Sequence, residues 1–275
     1  MAAAALFAVM FDIGLAIVPA EFRALGRQPA LMPKALFSVL VAVPAIAWIV
    51  LRVVELPRAV EIGIMLMAIA PGAPVALRRS LDAGGHRLFA PALQISVAVL
   101  AVVSMPLWIA ALNEFYAGRA TIDPRHLARQ VFTAQLLPLA LGMAARRFWA
   151  PGAAWLEPRL HRLGTILLLL LVALAMVDAW PKVAGAGFRV AAAIVAVTTL
   201  SLAVGHWLGG PDRATRTATA ISSAARNAGL ALLVATINNA APAIVATVLA
   251  YLVISASTVI PYVMWRRHSA RSTPA

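Results

Sequence analysis

The sequence predicts an all-α polytopic membrane protein of about nine transmembrane helices, and three observations carry that expectation. The first is composition. Of 275 residues, 63% are hydrophobic and 12% charged, with a mean hydropathy of +0.90, whereas a soluble domain is about 45–50% apolar and about 25% charged. Such a chain has too little polar surface to cover itself in water. The second is run length: several apolar runs reach the ~18 residues or more that an α-helix needs to cross about 30 Å of hydrocarbon. Transmembrane strands would alternate apolar and polar residues in segments of about ten, which "GTILLLLLVALAMV" does not do. The third is where the charge lies. The net charge of +13 sits mainly between the runs, where the positive-inside rule places it, and so points to a lipid bilayer and not to nucleic acid.

Taken in order, the expected spans are 1–19, 33–52, 58–82, 88–113, 129–147, 160–179, 188–208, 213–237 and 241–265. The opening "MAAAALFAVMFDIGLAIVPA" lacks the basic start of a signal peptide and carries Asp12 inside its apolar stretch, so it reads as the first span. "EFRALGRQP" follows it, "RRSLDAGGHR" separates spans three and four, "ARRFWAPGAAWLEPRLHR" spans five and six, and "GGPDRATR" spans seven and eight. With the N-terminus outside, the inner segments hold fifteen Lys and Arg residues against seven outside, with Arg226 left over within a span. That bias predicts a multi-pass protein of the cell's inner (plasma) membrane, N-terminus outside and C-terminus cytoplasmic. Residues 266–275 form a basic cytoplasmic tail, and residues 1–265 a single transporter unit.

Two spans differ from the rest. The third contains Pro71-Gly72-Ala73-Pro74, and the eighth contains Arg226-Asn227-Ala228-Gly229 at comparable depth. Proline removes a helical donor and glycine removes the steric bar to other backbone angles, so "PGAP" should break its helix. In lipid such a break persists only when buried in protein or lining a polar cavity. Spans three and eight are five crossings apart and run in opposite directions. They therefore suit equivalent places in two inverted repeats, about 1–113 and 129–265, the first lacking its leading helix. Paired interrupted helices mark the central site of a transporter.

Arg226 lies 13 residues from one end of its span and 11 from the other, about 16–20 Å from either surface at 1.5 Å per residue, beyond the reach of snorkelling. A charge at that depth faces a polar cavity or a partner. Either it is a structural ion pair, or it is an anion site. Asp12 is the matching acid, as a counter-charge to Arg226 or as a proton-titrating site. Asn227 and Gly229 offer an amide and exposed backbone to a solute, or simply allow close helix packing. Asn238 and Asn239 read as the end of span eight, Arg78 and Arg79 as a cytoplasmic cluster, and Gln94 and Gln135 as packing residues. His86, His126, His161, His206 and His268 fall near span ends and read as interfacial, so no metal site is expected. With no cysteine and no phosphate loop, zinc-protease or nucleophile-elbow motif, the chain is not read as an enzyme and no cofactor is expected.

"FDIGLAIVPAEFRAL", the "PG" break and "RNAGLALLVA", in that order and spacing, resemble the bile acid:sodium symporter family, in its nine-helix variant without the first helix. The resemblance implies a core with two crossing unwound helices, Pro71 to Pro74 against Arg226 to Gly229, and a panel that moves against it. It also implies losses. Where the family has "PGGxxSN" this chain has "PGAPVAL", placing Ala76 and Leu77 at the serine and asparagine. Where the family has "EVGxQN" it has "SSAARN", placing Ser222 at the acid and Arg226 at the glutamine, and Val39 stands for a glutamine in span two. Sodium wants oxygen ligands, which Leu77 and Val39 lack and Arg226 would repel. The expected function is alternating-access transport of a small organic anion without sodium coupling, with proton coupling open through Asp12. The alternative is a receptor or assembly partner that keeps the fold without transporting.

Overall fold

The computed structural model describes residues 2–16, 30–115, 123–184 and 187–271. The second half of "FDIGLAIVPAEFRAL", Arg23, Arg27, Arg119 and the last four residues of the tail lie outside them. We number the helices α1 (Ala2–Ala16), α2 (Leu31–Val53), α3 (Arg58–Ile69), α4 (Pro74–Asp82), α5 (Phe89–Phe115), α6 (124–148), α7 (Ala150–Ala184), α8 (Gly187–Leu208), α9 (Arg213–Ala224), α10 (Ala228–Ile237) and α11 (Pro242–Arg271). The described residues contain no strand. Taken as one each, α3/α4 and α9/α10 bring the described helices to nine rods in the expected order. Five segments are long and apolar enough to cross a membrane: Leu31–Val53, Phe89–Glu114, Gly187–Leu208, Arg213–Ile237 and Pro242–Ser269. The chain is a polytopic α-helical membrane protein; nine crossings is an expectation tested below.

Arg213–Ile237 has 83% of its most apolar stretch inside the molecule, against 39–44% for the other four. The interrupted helix is therefore the centre of the fold. Ala228 to Ala235 are buried on every side, as a helix apolar all round requires, and Gly63 to Ile69 of α3 are buried with them. The remaining helices form two groups around this core. One is α1 with α6 and α7; the other is α2, α5, α8 and α11 with the broken pairs.

Alpha-1 meets α6 backbone to backbone. A Cβ on Gly14 would overlap the Leu139 carbonyl oxygen, and one on Gly142 would overlap that of Phe11. Small residues at helix contacts permit this approach in membranes. Gly142→Leu is expected to push α1 away and lower the stability of the detergent-solubilised protein by about 1–3 kcal/mol, seen as a fall in melting temperature; an unchanged value would show that α1 moves at no cost.

Two boundaries and one internal turn differ from expectation. Helix α7 begins at Ala150, ten residues before the apolar stretch, because its first turns are interfacial: Arg146 meets Glu157 at 4.0 Å and Arg159 lies 3.8 Å over the Trp155 ring. Helix α11 continues through residues 266–271 of the basic tail, where buried Arg266 donates to Thr217 Oγ1 and the Arg213 carbonyl, both at 2.7 Å. Helix α2 contains a π turn at Ser38–Ala42, which matters for the site.

Candidate functional site

Two prolines account for the first break. The residue before a proline is driven out of the α region, and both Ala70 (φ −93°, ψ 86°) and Ala73 (φ −56°, ψ 127°) precede one. Gly72 between them takes φ +78°, a conformation that favours glycine. Pro74 then opens α4 at a position where its missing N–H costs nothing. The second break contains no proline. Ala225 is extended, and Asn227 starts α10 by accepting the Leu230 N–H at 3.0 Å on Oδ1, as an N-cap does.

The breaks cross and complete each other's hydrogen bonding. The Asn227 N–H donates to the Ala70 carbonyl at 2.9 Å. The Gly72 carbonyl accepts Gln94 Nε2 at 3.1 Å and Asn227 Nδ2 at 3.4 Å. Unwound backbone is thereby satisfied inside protein, as a membrane interior demands. Gln94, read from sequence as packing, thus belongs to the site. Gln135 is fully buried, with both amide atoms unpartnered among the described residues, and its Nε2 is 3.1 Å from where a Gly72 Cβ would stand.

Arg226 is 4% exposed. Its Nη2 donates to the Val39 carbonyl at 2.8 Å, and that acceptor has a local origin. In the π turn the Val43 N–H goes to the Ser38 carbonyl, so Val39 loses its i+4 donor; its i+5 residue is Pro44, which has none. The arginine takes the stranded carbonyl. Next to it, the Ser38 and Ser223 hydroxyls lie 2.9 Å apart. Arg226 Nε and Nη1 are buried without a hydrogen-bond partner, and no carboxylate lies within 4.0 Å of the guanidinium among the described residues.

A cavity of about 430 Å³ opens at this point, within the ~300–1,000 Å³ range of small-molecule sites. Arg226, Asn227, Ala228 and Gly229 line it from the second break, Ala73, Val75 and Arg79 from the first. The first turns of α4 and α10 both face it, and N–H groups there lack helical acceptors and carry partial positive charge. Apolar side chains such as Leu6, Val9, Leu169 and Leu252 form most of the remaining wall.

The expected site residues divide accordingly. Ala73, Arg226, Asn227 and Gly229 meet at the cavity; Pro71, Gly72 and Pro74 belong to the first break but not to the cavity lining. Ser222 is buried on α9, where its neighbour Ser223 makes the contact to α2. Asp12 is elsewhere: its Oδ2 lies 2.9 Å from His161 Nδ1, so its partner is a histidine expected at the interface and not Arg226. Arg79, expected in a cytoplasmic cluster, is a wall residue. Asn238 caps α10 at its C-terminal end and Asn239 follows with φ 50°, ending the span as expected.

A family model described as the sodium bile acid symporter family matches residues 3–186. The matched part holds α1 to α7 and the first break; Arg226 and the second break lie beyond it. No curated protein matches the chain significantly.

Proposed function

Since the chain belongs to the sodium bile acid symporter family and is a membrane transporter of that kind, we propose that it moves a small organic anion by alternating access, with Arg226 in place of a coupling cation. The observation that carries this reading is Arg226 in the wall of the cavity between the two breaks, with two buried guanidinium nitrogens that have no hydrogen-bond partner among the described residues. A carboxylate or sulfonate would satisfy those donors in a charge-assisted hydrogen bond, and the apolar wall suits the hydrocarbon body of the same solute. A guanidinium stays protonated at physiological pH. Unlike sodium, it cannot enter from one side and leave from the other, so it favours anion binding without drawing on a sodium gradient.

The test is uptake by proteoliposomes of a panel of radiolabelled organic carboxylates and sulfonates. Saturable accumulation or counterflow of at least one is expected. No flux across the panel, together with a stable complex with another membrane protein, would support the receptor or assembly reading instead.

Two inverted repeats, about 1–113 and 129–265, are part of this proposal. In each a broken helix is followed by a long helix with an internal proline, Pro106 in α5 and Pro261 in α11. With nine crossings in the inner (plasma) membrane, N-terminus outside, reporter fusions after Arg147 and after Arg271 should both read cytoplasmic. An outside C-terminus would make the number of crossings even and undo the opposed orientation of the breaks.

A further inference from the structure

Asp12 lies three residues beyond Val9, on the same face of α1 and about 4.5 Å further along its axis; Val9 is in the cavity wall. His161 lies two turns before Leu169, which lines the cavity from α7. Between these helices Asp12 Oδ2 and His161 Nδ1 are 2.9 Å apart. Asp12 Oδ1 is buried with no hydrogen-bond partner, while the His161 side chain is 33% exposed. Thr165 Oγ1 stands 3.5 Å from His161 Nε2. With its Nδ1–H donated to the carboxylate, a neutral His161 keeps Nε2 as an acceptor, and one proton fits there.

The surroundings set the sign. Helix α4 brings Arg78 within electrostatic range of Asp12 and Arg79 into the cavity. Over 132–148, which also packs on α1, the charges are Arg146, 4.0 Å from Glu157, and exposed Arg147. On α7, Arg159 covers Trp155 and Arg162 is exposed. The part of α10 packed on α1 carries no titratable residue. Asp12 is thus the one carboxylate set among cations beside the cavity in the described structure.

We propose that the Asp12–His161 pair is a proton site whose filling strengthens anion binding, making the protein a proton–organic anion cotransporter. The proposal rests on the transport reading above. A proton passes from water to His161 Nε2, and the pair goes from a net charge of −1 to zero. Arg78, the cation that Asp12 faces from α4, then loses compensation, and the cavity beside it becomes more attractive to an anion. By reciprocity a bound anion raises the affinity for the proton, so one anion and one proton cross together with no net charge.

The test needs no known solute in its first arm. The chain has no cysteine, so Ser257→Cys places a single thiol in the cavity wall. The ratio of its reaction rates with an anionic and a cationic methanethiosulfonate reports the local potential, the thiolate fraction cancelling. As pH falls from 8 to 5.5 the ratio should rise about fourfold, the effect of a unit charge ~10 Å away in water-like surroundings. His161→Gln should hold it at the high-pH value and His161→Arg at the low-pH value. A ratio flat with pH in the Ser257→Cys background would overturn the proton site. The second arm is proteoliposome uptake of the same carboxylate and sulfonate panel with and without an inward proton gradient. Gradient-stimulated uptake lost in His161→Gln is expected; uptake indifferent to the gradient would overturn cotransport while leaving anion transport intact. A responsive ratio with no uptake at all would overturn the transport reading and the cotransport built on it, leaving only the proton site.

Discussion

Arg226→Gln should cost roughly ten- to hundredfold in anion affinity, from the ~1.5–3 kcal/mol carried by a hydrogen bond to a charged group. It should leave the protein folded. Glutamine keeps an amide donor of shorter reach, and the charge it deletes has no carboxylate beside it to strand among the described residues. Removing a buried, uncompensated charge relieves desolvation, so the melting temperature should hold or rise. That combination separates a ligand role from a structural one. An ion-pair arginine would give the reverse, a large loss of stability with anion affinity unchanged in the fraction that folds. Equilibrium binding of the transported anion and thermal melting, measured on the same preparations, decide between them.

Gly72→Val should abolish transport while the protein still inserts. At φ +78° any side chain pays about 1–2 kcal/mol, and a β-branched one more. The new Cβ would also stand 3.1 Å from Gln135 Nε2 and 3.5 Å from Val97 Cγ1. The Gln135 amide can shift by a few tenths of an ångström, but the φ strain is relieved only by turning the 71–73 backbone, which pulls the Gly72 carbonyl away from Gln94 and Asn227 and redirects the first turn of α4. A loss of ~1.4 kcal/mol in solute binding is already tenfold. Gly187→Ala is the control: it has nearly the same dihedral, φ +76°, with no atom of the described residues within 4 Å of the added Cβ. It should carry the backbone strain and keep transport. Equal loss in both variants would mean that strain alone, and not the shape of the crossing, lowers activity.

The first break was readable because its cause is local. Two prolines act on the two residues before them, and no tertiary information is needed to see that 70–73 cannot be helical. The second break was readable as a burial anomaly, an arginine too deep to reach water. What Arg226 touches was not readable. Its acceptor is freed by a π turn in α2, and although Pro44 is visible in the sequence, nothing local says that the helix will underwind just before it. Gln94 and Gln135 were read as packing because a lone amide on an apolar helix carries no spacing signal; only the fold brings them to Gly72 across α5 and α6. The Asp12–His161 pair spans 149 positions, and His161 looked interfacial because α7 was expected to begin ten residues too late. Periodicity and composition located the rods and their breaks, whereas the partners of the polar side chains depend on long-range contacts.

The measurement that bears most directly on a fixed charge standing in for a coupling ion is initial-rate uptake into proteoliposomes of the anion selected by the panel, with external sodium replaced by potassium at constant pH and ionic strength. A charge carried on Arg226 predicts equal rates in the two cations for the wild-type protein, and low rates in both for Arg226→Gln. A wild-type rate that collapses in potassium and is restored by sodium would contradict the account, since it would mean that the cation site is still filled from solution.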